Sequence, residues 1–95
     1  MTKLVQAIGE LAEVRQQLAS RAEKQYALEV KAILQSQCRD SKRIERLLDG
    51  MLDFCFDTQM LHWYKKLCRY YFEIAPAATV SYVNAYRDMW DDERS

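Results

Sequence analysis

The chain has 95 residues, of which 14 are basic and 14 acidic, so its formal net charge is zero. Cancelled charge weighs against nonspecific nucleic-acid binding, which draws on a clear basic excess, and no apolar run approaches the ~18 residues a membrane span needs. About half the residues are apolar but only two are Gly and one is Pro, which leaves an all-β fold almost nothing to build its turns from. The length suits one helical domain over residues 1–95, able to bury a single core without staples. Cys38, Cys55 and Cys68 are odd in number, show no C-x-x-C pairing and follow no apolar signal segment. Free thiols in a reduced, cytoplasmic setting are expected.

From Lys3 to about Gln37, the residues Leu4, Ile8, Leu11, Val14, Leu18, Ala22, Tyr26 and Ile33 recur at helical steps. At 100° per residue they stay within an arc of ~120°, which predicts one long amphipathic helix with Thr2 as its N-cap. A competing reading breaks the helix at Ser20, because Ser20-Arg21-Ala22-Glu23 has the form of a capping box. The helix formers Ala19 and Ala22 and the unbroken apolar phase favour continuity.

Gln37 to Ser41 is polar and offers Asp40 and Ser41 as caps for a second helix, which places Ile44, Leu47, Leu48, Met51, Leu52 and Cys55 on one face. Gly50 falls off that face and is read as an exposed helical glycine costing about 1 kcal/mol. Asp57 or Thr58 caps a third helix that runs to about Glu73, and Pro76 closes it at Ala75 while opening a fourth. The fourth carries Ala78, Tyr82, Val83, Ala85, Tyr86, Met89 and Trp90 on one side. Its acidic tail opposes the helix dipole, so residues 92–95 are expected to fray. The fold class is all-α, a small bundle of about four helices with the longest first.

The third helix contains HWYKKLCRYYFEI, five aromatic residues among Lys65, Lys66 and Arg69. Interleaved rings and cations suit stacking on bases and neutralising phosphates. On a helical wheel, however, Trp63, Tyr70, Ile74, Leu67, Met60, Tyr71, Tyr64, Cys68, Leu61 and Phe72 fill an arc of ~200°, with Lys65, Arg69, His62, Glu73 and Lys66 opposite. An apolar arc that wide belongs to a helix contacted from two sides, which makes it the central helix. The expected core is Leu47, Met51, Cys55, Leu67, Tyr71, Tyr64 and Tyr82, with Trp63 and Tyr70 at its edge beside Lys66.

Catalytic chemistry has little support. His62 lies on the polar arc away from Cys68, so no Cys-His pair forms within that helix. Asp49, Asp53 and Asp57 lack the converging oxygens of an ion site. No phosphate loop or hydrolase motif occurs, so no catalytic residue, metal, cofactor or small-molecule substrate is expected.

Two functional readings remain. A first helix of ~35 residues spans ~50 Å, against ~25 Å for neighbours of ~16 residues. The overhanging stripe of Leu4, Ile8, Leu11, Val14 and Leu18 then needs the fourth helix, a second copy or another protein to cover it. This is a protein-protein interaction module, expected as a homodimer, with Arg39, Lys42, Arg43 and Arg46 facing Asp49 and Asp53 of a partner. The alternative is a nucleic-acid-binding regulator joining the Arg39–Arg46 cluster to Lys65, Lys66 and Arg69, with Trp63 and Tyr70 beside them. It requires both clusters on one uninterrupted surface.

Overall fold

The computed structural model describes residues 2–90, with side chains from residue 13 onward. It contains four helices and, among the described residues, no strand: α1 (Thr2–Ser36), α2 (Ser41–Leu52), α3 (Thr58–Phe72) and α4 (Pro76–Trp90). The side chains of Thr2, Leu4, Ile8 and Leu11, and the acidic tail from Asp91, lie outside the described residues.

α1 runs through Ser20 without a break. It stops where Gln37 takes a left-handed backbone (φ 52°), with Cys38 N–H bonded to Ile33 O and Gln37 N–H to Leu34 O. These two bonds satisfy carbonyls that the helix end would otherwise orphan. Asp40 caps α2 by accepting from the amides of Lys42 and Arg43, and Asp57 caps α3 by accepting from Met60 N–H at 3.0 Å. α2 ends at Leu52, short of the expected Cys55, and Phe54 and Cys55 continue in tight turns bonded to Met51 and Leu52. Cys55 is buried all the same.

α3 is the central helix, and its Leu67 is 0% exposed. Tyr64 and Tyr71 are buried beside it, together with Ile44, Leu48 and Met51 of α2 and Val30 and Ile33 of α1. Tyr82 packs against this core but is only half-buried. α4 docks shallowly: Thr79 is its single fully buried residue, its hydroxyl bonded to Ala75 O at 2.9 Å. The expected apolar faces need two corrections here. Phe72 is 51% exposed at the end of α3, and Met89 is exposed near the end of α4.

The apolar arc of α1 is corrected too. The side that meets the bundle carries Ala19, Ala22, Tyr26, Val30 and Ile33, whereas Val14 and Leu18 are 51% and 53% exposed. Leu18 lies alongside the bundle, not beyond it, since Arg15 and Gln16 already reach Phe56 and Asp57 at the bundle's end. Its exposure therefore comes from its direction and not from an overhang.

Gly50 is the remaining correction. It is half-buried, and a Cβ built on it would overlap the hydroxyl of Tyr26 and lie 3.0 Å from Tyr26 Cζ. The glycine lets α1 and α2 approach closely enough for Tyr26 to pack on the α2 backbone. Gly50→Ala should lower stability by up to about 2 kcal/mol, overpacking of ~1–3 kcal/mol being offset by ~1 kcal/mol of helix propensity, measured by urea unfolding. An exposed helical glycine would instead gain about 1 kcal/mol from the same change.

Candidate interaction surfaces

The tyrosines and the tryptophan of α3 are committed to the fold through their polar ends. Tyr64 donates to Tyr82 O at 2.8 Å, Tyr70 to Cys38 O at 2.7 Å and Tyr71 to the carboxylate of Glu45. Trp63 donates from Nε1 to Glu23 at 2.8 Å, and the ammonium groups of Lys31 and Lys66 lie 5.2 and 5.5 Å from its ring. A half-buried indole between two cations is held by cation–π attraction, leaving Trp63 and Tyr70 as braces at the edge of the core. Neither offers a free stacking face with an unspent polar end.

The two basic clusters sit on different segments, one at the start of α2 and one on α3, and all of their members are exposed. α2 turns Ile44, Leu48 and Met51 into the core, and Lys42, Arg43 and Arg46 of the same helix are exposed, as is Arg39 in the segment before it. On α3, Tyr71 reaches α2, while Lys65 and Arg69 are exposed on the side away from it.

The acidic residues also have internal work. Asp57 accepts from Gln16 Nε2 at 3.0 Å besides capping α3. The Tyr82 hydroxyl lies between Glu45 O and the Asp49 carboxylate, and burial first, then Asp49, pushes its pKa well above the usual phenol range. Asp53 ends α2 and adds to the rise at Tyr26, whose larger cause is burial. The alternation of cations and acids along α2 is thus explained in part by bracing: Asp49 and Asp53 sit where α1 and α4 pass.

Among the described residues, two surfaces combine exposed apolar side chains with room for a partner. One is the outer side of α1 at Val14 and Leu18. The other is a groove of about 550 Å³ between α3 and α4, floored by Cys68, Thr79, Val83 and Tyr86 and rimmed by Lys65, Arg69 and Arg87. Sequence reasoning missed this groove, because which sides of α3 and α4 stay apart depends on how deeply α4 docks.

Burial raises Cys55 to about 12 and Cys68 to about 11, so both are protonated and unreactive near neutrality. His62 is exposed and packs edge-on against Trp63 at 5.2 Å. Among the described residues no three metal-ligating side chains gather, and no helix is long and apolar enough to cross a membrane. No protein-family model matches the chain, and no curated protein or solved structure is similar to it.

The thiols make a testable pair of expectations. In the native protein, half-buried Cys38 should react with a thiol reagent while Cys55 and Cys68 react only on unfolding. Their raised pKa values also set a pH limit. Below the ordinary thiol value of 9.0 the buried thiols favour the fold fully, and that contribution is lost as pH rises from 9 toward 11 and 12. Urea midpoints should fall over that range, and the fall should shrink in the Cys55→Ala variant.

Proposed function

We propose that the chain is a small non-enzymatic interaction module that self-associates through the outer side of α1. The observation that carries this reading is the exposure of Val14 and Leu18 on a continuous helix whose bundle-facing side is already filled by other residues. Positions 4, 7, 11, 14, 18, 21, 25 and 28 alternate steps of three and four, the spacing of a coiled-coil seam. They hold Leu4, Ala7, Leu11, Val14, Leu18, Arg21, Gln25 and Leu28, apolar as far as Leu18. Arg21, Gln25 and Leu28 are exposed as well, so the whole described part of the seam lies outside the bundle.

The occupant that fits best is a second copy running antiparallel. In a parallel pair Arg21 would stack on its own copy inside the seam, a like-charge contact that disfavours the arrangement. Antiparallel pairing of Leu11 with the partner's Val14, and of Ala7 with the partner's Leu18, matches apolar with apolar and leaves Arg21 at the end, where its head reaches water. Each large side chain fully buried this way contributes ~1.5–3 kcal/mol of transfer free energy, and cancelled net charge offers little repulsion to oppose it. Reduced thiols and an intracellular setting suit this reading.

Light scattering at tens of micromolar should return twice the monomer mass for the wild type and the monomer mass for Leu11→Glu with Leu18→Glu, with helicity kept. A wild-type monomer overturns the reading. Orientation follows from spin labels at position 24 in a Cys38→Ser background. Antiparallel pairing separates them by ~35 Å along the axis at 1.5 Å per residue, whereas parallel pairing brings them within ~10 Å, the spacing of packed helices.

A further inference from the structure

The groove between α3 and α4 has the features of a peptide site. Its floor of Cys68, Thr79, Val83 and Tyr86 is largely apolar, and Phe72 stands 51% exposed at one end. Lys65 and Arg69, one helical turn apart on α3, and Arg87 on α4 line its rim, with Glu73 as the acidic member. A chain with no net charge thus places three cations against one anion around an apolar trough. This excess selects its occupant, because an apolar segment flanked by acids gains from the rim as well as the floor.

We propose that this groove docks an acidic amphipathic helix of a partner protein, a surface separate from the seam on α1. Apolar residues at i, i+4 and i+7 of the incoming helix would lie on Val83, Tyr86 and Phe72. Its carboxylates at four-residue spacing match Lys65 and Arg69, which repeat at the same interval. Phe72 is the anchor: an aromatic side chain left half in water at the groove's end is the kind of residue that carries much of an interface's energy.

The test uses a designed helical peptide with Leu at i, i+4 and i+7 and Glu on both flanks, a twin with Lys for every Glu, and laurate as a small anionic amphiphile. Binding is read by amide and methyl shifts in a background of Leu11→Glu with Leu18→Glu, which removes the α1 seam. The acidic peptide should shift Phe72 and Val83 and bind at least about tenfold tighter than its Lys twin, with affinity falling as salt rises. Lys65→Glu with Arg69→Glu should reverse that preference, and Phe72→Ser should weaken both peptides while the circular dichroism stays unchanged. Four results overturn the proposal: equal affinity for the two peptides, shifts confined to α1, laurate binding where the acidic peptide does not, or groove shifts that follow protein concentration alone.

Discussion

The structure depends on one constraint: a tyrosine or tryptophan that packs on the core must place its ring against it and its polar atom on a partner. α3 meets it four times, and each time the partner belongs to a different segment. Trp63 finds Glu23 on α1, Tyr70 finds the Cys38 carbonyl at the α1–α2 junction, Tyr71 finds Glu45 on α2, and Tyr64 finds the Tyr82 carbonyl on α4. An unpaired buried hydroxyl or indole N–H costs ~1–3 kcal/mol, so these bonds fix how the helices lie around α3 as much as the apolar contacts do. Trp90 repeats the device from the other side, donating to Leu52 O at 2.7 Å while its ring packs against Phe56 under Arg15.

This arrangement decides what remains for binding. With its tyrosines and tryptophan turned to three neighbours, α3 shows solvent its first residues, Lys65, Lys66, Arg69, His62 and the exposed Phe72. α1 spends one side on the bundle and keeps a second, at Val14 and Leu18, unspent. α4, buried fully only at Thr79, leaves a trough beside α3 instead of sealing it. Both proposed surfaces thus arise from incomplete coverage of otherwise well-packed helices, and they face different parts of the molecule.

Much of the fold was legible because its signals are local. Asp40, Asp57 and Pro76 mark helix starts through backbone chemistry within a few residues, and the wide apolar arc of α3 identifies the central helix from spacing alone. What escaped depends on pairing between distant segments. Gly50 reads as a surface glycine until Tyr26, twenty-four residues away, is brought onto it. The arc on α1 reads as one face because ~120° of apolar positions cannot show that the bundle takes only part of it. The stripe at Val14 and Leu18 was found, though for its length and not its direction. The groove could not be found, since no residue in it is unusual by itself.

If the polar-tipped aromatics of α3 hold the bundle together, α3 should be the last element to open. Native-state hydrogen exchange measures this residue by residue. The account predicts that amides from Tyr64 to Tyr71 exchange only through global unfolding, while those of α4 exchange through a smaller opening that leaves α3 and the second half of α1 protected. Exchange of Tyr64 to Tyr71 in the same low-energy opening as α4 would contradict it.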